Sequence, residues 1–313
     1  MLYLFDLQIS LAKPFVKWAG GKGQLITVID QYLPKELKYG LIKNYVEPFV
    51  GGGALLFHIL QNYKVENAYI FDVNKDLINA YRVIKNSVDN LIEELGELER
   101  KYLSLSEYEK EKMYYEIREK YNSYSKLDTK KASYFIFLNK TCYNGLFRVN
   151  KNGKFNVPFG KYKNPKICDE DNLLAVNKLL DKVEIFCGDY TLSYDFIDDS
   201  TFVYFDPPYL PISSTSNFTS YTETAFGIEE QIKLSKFFRK VNDEKHAFLM
   251  LSNSDPTQID PENRFFEKIY SGFNVYHVYA NRFINSKSDK RGRIREIIVV
   301  NYNPNLKEMN SRD

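Results

Sequence analysis

Asp206-Pro-Pro-Tyr209 is the segment of this sequence whose residue types restrict its chemistry most narrowly. It follows the apolar run Thr201 to Phe205, so its two prolines must carry the chain out of a sheet at a strand's carboxyl end, where open α/β folds bind ligands. Asp206 offers a carboxylate, Pro207 and Pro208 offer carbonyls with no N–H to compete, and Tyr209 offers an aromatic face. Acceptors beside a stacking surface are complementary to an amino group with two hydrogens on an aromatic ring. The plain alternative for a generic Asp-Pro-Pro is a turn without chemistry, and the added tyrosine and the preceding strand argue against it.

Adenine N6 is such an amino group, and a poor nucleophile because its lone pair is delocalised into the ring. Acceptors at Asp206 and at the Pro207 carbonyl would draw the lone pair toward a sulfonium methyl and stabilise the charge that develops on nitrogen. Neither a metal nor a covalent intermediate is needed. Cytosine C5 methylation requires a thiolate in a Pro-Cys loop, which Cys142, Cys168 and Cys187 do not supply. His58, His246 and His277 lack metal-ligand spacing, so no metal is expected.

Two glycine segments accompany this loop. Val50-Gly-Gly-Gly-Ala54 follows an apolar run from Asn44, and Asp72 ends a second run about 20 residues on. Small residues admit a nucleotide cofactor, and a carboxylate at that place accepts from ribose hydroxyls. The spacing is not GxGxxG, and a tight structural turn, with Asp72 as a helix N-cap, is the competing reading. Lys17-Trp-Ala-Gly-Gly-Lys22 superficially suggests a phosphate loop, but Val16 stands where the first glycine belongs and Gly23 where a hydroxyl belongs. Trp18, the single tryptophan, reads either as a flat apolar surface at the mouth of a pocket or as core.

The elements that must position these residues follow from periodicity. Apolar runs predict strands over Asn44–Val50, Asn67–Asp72, Val183–Cys187, Thr201–Phe205, Ala247–Ser252 and Ile294–Val300, with helices from Gly51 to near Asn62 and over Asp76–Ile84. Val88 to Tyr124 is charged and helical, fitting solvent-facing helices. The simplest architecture is a Rossmann-like α/β sheet built from two sequence halves, residues 1–86 and 180–305, interrupted by a mostly helical insertion, 87–179, and ending in a frayed tail, 306–313.

With 313 residues, 44% of them hydrophobic, the chain can form one sizeable core. It has no run of about 18 apolar residues, and Asp6 interrupts its apolar opening, so neither a membrane span nor a signal peptide is expected and the protein is placed in the cytoplasm. The cysteines lack CxxC spacing and read as free thiols. The 43 basic and 41 acidic residues nearly cancel, but their distribution is uneven. Lys130, Lys131, Lys140, Arg148, Lys151, Lys154, Lys161, Lys163 and Lys166 form a stripe with no acid between Asp128 and Asp169. Lys287, Lys290, Arg291, Arg293 and Arg295 form a second cluster. Two such segments could neutralise phosphates on either side of a groove, or simply be solvated surface.

Taken in order, Lys17-Trp-Ala-Gly-Gly-Lys22, Glu47-Pro-Phe-Val-Gly-Gly-Gly53 and Asp206-Pro-Pro-Tyr209 resemble the Dam family of DNA adenine methyltransferases, over about Lys13 to Asn303. Tyr143-Asn-Gly-Leu-Phe-Arg148 and Phe155-Asn-Val-Pro-Phe-Gly160 look like that family's target-recognition hairpin, and Asn217-Phe-Thr-Ser-Tyr221 like the loop after its catalytic motif. The resemblance implies S-adenosyl-L-methionine as methyl donor, held by Trp18, Lys22, Phe49, Gly51, Gly53, Asp72, Asp189 and Asp206. It implies double-stranded DNA as substrate, with a flipped adenine in GATC. Lys17 would touch the preceding guanine, Tyr143 would push between bases near the vacated position, Asn144 would also bind DNA, and Leu146, Arg148 and Pro158 would read the far half. It also implies a monomer that can work beside a restriction endonuclease of the same site. Rival readings are an adenine-N6 enzyme for RNA or another DNA site, and a catalytically silent DNA-binding regulator. A protein-glutamine methyltransferase is typified by Asn-Pro-Pro-Tyr and leaves the basic stripe unexplained.

Overall fold

The computed structural model describes residues 11–210, 226–280 and 294–304. In chain order, α1 (Ile26–Tyr32) and α2 (Lys35–Lys38) precede β1 (Asn44–Glu47), α3 (Ala54–Asn62) and β2 (Asn67–Asp72). Four helices follow: α4 (Lys75–Ser104), α5 (Glu107–Ser123), α6 (Thr129–Thr141) and α7 (Glu170–Leu180). The chain continues through β3 (Val183–Cys187), β4 (Thr201–Phe205), α8 (Ile228–Lys245), β5 (Phe248–Ser254), α9 (Phe265–Ile269), β6 (Asn274–Ala280) and β7 (Ile294–Val300).

These strands form a sheet of order β3-β2-β1-β4-β5-β7-β6. Neighbours from β3 to β5 pair in parallel, and β7 runs antiparallel between β5 and β6. This is the mixed α/β architecture expected from the sequence. All residues of β4 are buried, as a central strand covered on both faces requires. From β1 the chain moves outward to β2 and β3, then returns to place β4 on the other side of β1. The crevice above the carboxyl ends of β1 and β4 is therefore the topological switch point, where such sheets bind ligands. The glycine turn leaves β1 there, and Asp206-Pro-Pro-Tyr209 leaves β4 there.

Local chemistry explains several element ends. Asn74 caps α4, its side chain accepting from Asp76 N and Leu77 N at 3.1 and 3.0 Å, and α5 opens on a reciprocal capping box between Ser106 and Glu109. The helix α4 is kinked at Ser87 (φ −153°, ψ 41°). The strand expected over Asn44–Val50 stops at Glu47, and α3 starts at Ala54 rather than Gly51. Gly51 (φ 47°) and Gly53 (φ 73°) adopt left-handed backbone, which builds a turn before the helix. No helix among the described residues is long and apolar enough to cross a membrane.

The charged segment over α4 and α5 is more deeply packed than its composition suggests: Tyr102, Tyr114 and Ile117 are core residues. The basic stripe likewise divides. Lys131 is buried and donates to the Tyr121 and Tyr124 carbonyls, Lys130 pairs with Glu94 at 2.6 Å, and Lys166 pairs with Asp169. Lys131 is thus a structural cation. Lys151, Lys154 and Lys161 remain exposed. Asn217–Tyr221 and the cluster from Lys287 to Arg293 lie outside the described residues, as do the opening ten residues and the expected tail.

Candidate active site

The loop after β4 is held by a set of buried polar side chains. Asp206, its side chain 18% exposed, takes the Lys22 ammonium on Oδ1 at 2.7 Å, and Ser252 of β5 donates to the same oxygen at 3.1 Å. The Ser252 hydroxyl is itself paired with the Tyr204 hydroxyl at 2.8 Å. Lys22 also donates to the Gly20 carbonyl at 2.9 Å and lies 4.2 Å from the Tyr209 ring centroid. Pro208 O accepts from Gln231 Nε2 at 3.0 Å, and Gln231 Oε1 accepts from Asn253 Nδ2 at 3.1 Å. Asn253 Oδ1 then accepts from Leu210 N at 3.1 Å, while the Tyr209 hydroxyl donates to Glu296 at 2.5 Å.

Oδ1 of Asp206 and the Pro208 carbonyl are occupied, whereas Oδ2 and the Pro207 carbonyl have no partner among the described residues. Two acceptors of the loop that ends in Tyr209 are thus left unoccupied, a set that an exocyclic amine on a planar ring could use. Ser252, Gln231, Asn253 and Glu296 were not singled out from sequence. Only a polar residue inside an otherwise apolar strand or helix face signals such a role.

Burial raises the Asp206 carboxyl above the usual carboxylate range, and Lys22 and Ser252 pull it part of the way back. Glu47, buried at the end of β1 and accepting from the Tyr45 hydroxyl at 2.9 Å, is pushed well above that range by burial, against the pull of Tyr45 and Lys22. With Oδ1 held by two donors, a proton would sit on Oδ2 and turn it into a donor, so Oδ2 accepts only while the carboxyl is ionised. Activity governed by Asp206 should therefore be full above its folded pKa and fall as pH drops through it, with this acid limb above the ordinary carboxylate range. Lys22→Met removes a cation that favours the ionised form, so the limb should move to higher pH; kcat/KM against pH for both proteins tests the direction.

The glycine turn stands beside this loop. Asp72, half-buried at the end of β2, accepts from Gly51 N at 3.1 Å and from Asn74 N at 2.8 Å. Burial raises its carboxyl, and these two N–H groups oppose the rise. Asn74, not Asp72, caps α4, so the N-cap reading of Asp72 is replaced by one in which it braces the turn. Trp18 packs on the same turn: a Cβ on Gly51 would lie 2.8 Å from Trp18 Cδ1. Its ring also neighbours Phe147 of the hairpin, stacked at 5.6 Å and 24°, and Phe135 of α6, tilted at 6.3 Å. Phe49 packs on Tyr190 and Phe226, with centroids 5.4 and 5.7 Å away. Asp189 is exposed, and its carboxylate accepts from Thr191 N and the Thr191 hydroxyl, capping the short helical turn that follows β3.

These features fit S-adenosylmethionine. Asp72 stands beside a turn whose two left-handed glycines carry no side chains, a carboxylate of the kind that accepts from ribose hydroxyls, and the Lys22–Asp206 pair lies at the same end of the sheet. Asp72→Ala should accordingly weaken cofactor binding more than DNA binding. Calorimetry on each ligand separately checks this, and equal losses on both would return Asp72 to a purely structural role.

The hairpin forms the second part of the site. Cys142 and Phe159, and Val149 and Phe155, make antiparallel bridges, and Tyr143 N donates to Pro158 O at 2.9 Å. The arms thus present Tyr143 (54% exposed), Leu146 (41%), Asn144 and Pro158 to solvent together. Large apolar groups exposed side by side on a short loop have no core role. Arg148 donates through Nε to Asn156 Oδ1 at 2.8 Å and through Nη2 to Asn156 O at 3.3 Å, which orients its guanidinium and leaves Nη1 without a partner among the described residues. Lys17 is exposed, 4.8 Å from the Tyr162 ring centroid.

Comparison with known proteins agrees with this geometry. Residues 18–284 match the family model of the D12 class N6 adenine-specific DNA methyltransferases. The type II methyltransferase M.MjaIII of Methanocaldococcus jannaschii is 53% identical over 294 residues, covering 93% of this chain and 99% of the relative. M1.LlaDCHI of Lactococcus lactis subsp. cremoris, also a type II methyltransferase, is 38% identical over 296 residues, covering 93% and 95%. The DNA adenine methylase of Escherichia coli K12 is 33% identical over 294 residues, covering 94% and 96%. The switch-point crevice, the loop of free acceptors and this match along most of the chain lead to one assignment: the protein belongs to the D12 class of N6 adenine-specific DNA methyltransferases.

Proposed function

We propose that this enzyme methylates N6 of the adenine in GATC, in duplex DNA, after the base has been turned out of the helix onto the Asp206–Tyr209 loop. N6 inside a stacked pair cannot reach a loop at the floor of a crevice, and extrusion is the general route for enzymes that modify a base. The observation that carries the reading is the pairing of free acceptors at Asp206 Oδ2 and Pro207 O with an exposed hairpin beside Lys17.

S-adenosylmethionine supplies the methyl group. The chain's own residues do the rest. Tyr209 stacks on the adenine, and Asp206 and the Pro207 carbonyl accept its two N6 hydrogens. The lone pair is thereby drawn out of ring conjugation, and the charge that develops on nitrogen is stabilised by fixed acceptors. The surplus proton then leaves to water or to Asp206. Lys22 and Ser252 keep Asp206 Oδ1 in place throughout.

On the DNA side, Tyr143 and Asn144 occupy the vacated position, Lys17 contacts the guanine before the adenine, and Leu146, Arg148 and Pro158 read the far half of the site. Residues 1–86 and 180–305 form the catalytic unit and 87–179 the target-recognition unit. The enzyme acts in the cytoplasm as a monomer. The type II names of M.MjaIII and M1.LlaDCHI support a companion endonuclease acting on the same site.

Arg148→Ala tests the recognition half. If its guanidinium makes a forked contact to O6 and N7 of a guanine, discrimination at that one base pair should relax by about 1 to 3 kcal/mol while other positions hardly change. Lys151→Ala should instead weaken all duplexes alike and lower the salt slope by roughly one unit. The measurement is kcat/KM on GATC and on duplexes altered one pair at a time, at two salt concentrations. A uniform loss for Arg148→Ala would make it a phosphate contact and leave GATC unsupported.

A further inference from the structure

One buried side chain joins the two halves of this site without taking part in either. Asn139 lies in the last turn of α6, directly after the core residues Phe135 to Leu138, and is 3% exposed. Its Oδ1 accepts from Lys17 N at 2.8 Å, and its Nδ2 donates to Lys17 O at 2.8 Å and to Gly145 O at 3.1 Å. A single amide therefore satisfies both backbone groups of Lys17 and the carbonyl that closes the Tyr143–Gly145 turn. The pairing also fixes which way the amide lies, because the reversed orientation would set donor against donor at Lys17 N.

The surrounding contacts leave no slack in this joint. Gly145 (φ 64°) is pressed onto Lys17 so closely that a Cβ there would stand 2.4 Å from Lys17 Cδ and 2.6 Å from its Cβ. The next residue, Trp18, is clamped between Phe147 of the hairpin and the Gly51 turn. A polar link, Asn139 with Lys17 and Gly145, thus runs beside an apolar one, Phe147 with Trp18 and Gly51.

We propose that Asn139 is a positioning residue that couples target reading to cofactor binding. By tying Lys17 to the hairpin turn, it lets any shift of the hairpin on a cognate site reach Trp18 and the glycine turn as one rigid displacement. The inference rests on the assignment of Lys17 and the hairpin to DNA and of the glycine turn to the cofactor. Linkage is reciprocal: the factor by which cognate DNA tightens cofactor binding must equal the factor by which cofactor tightens cognate DNA.

The test measures the affinity of the unreactive product S-adenosylhomocysteine by calorimetry, alone and with saturating GATC duplex or a duplex altered in that site. Wild type should bind it more tightly by about 5- to 150-fold with the GATC duplex, and by about twofold or less with the altered one. In Asn139→Ala, and in Gly145→Ala, which breaks the joint from the other side, the gain should collapse to about twofold or less, with affinity in the absence of DNA nearly unchanged. Trp18 is the only tryptophan, so its emission in the wild type, which needs no variant to fold, should respond to the GATC duplex in the absence of cofactor. A folded variant of either kind that keeps the wild-type gain overturns the proposal. So does a wild type that selects GATC by affinity without tightening its cofactor. If wild type neither selects GATC nor shows a Trp18 response, the DNA assignment of the hairpin fails and the coupling with it.

Discussion

Asp206→Ala is expected to lower single-turnover methyl transfer by about 10²- to 10³-fold or more, since removing one preorganised acceptor aimed at developing charge costs that much. The size of the effect comes from what holds the residue. Lys22 and Ser252 both address Oδ1, so the carboxylate is fixed before substrate arrives, and only Oδ2 is free to accept. Asp206→Asn should be nearly as severe. Its amide oxygen would be drawn to the two donors, Lys22 and Ser252, leaving the amide NH2 at the Oδ2 position, donor against the N6 donor. Asp206→Ala also strips a largely buried ammonium of its partner, a change of roughly 3 to 5 kcal/mol in such surroundings, so its Tm should fall as well. Rates are compared on folded protein, below both melting transitions. A near-normal rate for either variant on duplex DNA would remove this loop from the chemistry.

Tyr209→Ala is the second large loss. A base without its stacking partner forfeits roughly 1 to 3 kcal/mol, which is about 5- to 150-fold in kcat/KM, and the loop loses the tie to Glu296 in the same step. Tyr209→Phe keeps the ring and gives up only the hydroxyl, so it should fall between wild type and Tyr209→Ala. Measuring the three proteins on one duplex separates the two contributions. If Tyr209→Phe is as damaging as Tyr209→Ala, the tyrosine acts by anchoring the loop and not by stacking on the base.

Much of the sheet was legible because its strands are contiguous apolar runs: Asn67–Asp72, Val183–Cys187, Thr201–Phe205 and Ile294–Val300 stand where their composition put them. The strand β6 was not expected. It lies at the sheet edge and carries Asn274, His277 and half-exposed tyrosines instead of an apolar run, and edge pairing makes no demand for one. The candidate site was readable, as a proposal, where the chemistry dictates residue type, as at Asp206, Pro207, Tyr209 and the glycine turn. It was not legible where geometry alone gives a residue its role. Ser252 is one serine among many until β5 is laid beside β4, and Gln231 and Asn253 matter only because the loop between them must be held at Pro208 and Leu210. Asp72 shows a mixed outcome, since its place beside the glycine turn was foreseen, whereas the cap that it was weighed against belongs to Asn74.

The central claim is that Asp206 and the Pro207 carbonyl present N6 of a GATC adenine for methylation, and the position of the transferred methyl tests it most directly. The purified protein is incubated with methyl-labelled S-adenosylmethionine and duplexes containing GATC or single-pair variants of it, and the DNA is digested to nucleosides. The account predicts label in N6-methyldeoxyadenosine, from the GATC duplex and not from the variants, and its loss with Asp206→Ala. Label in a cytosine product, or label unaffected by Asp206→Ala, would contradict the account.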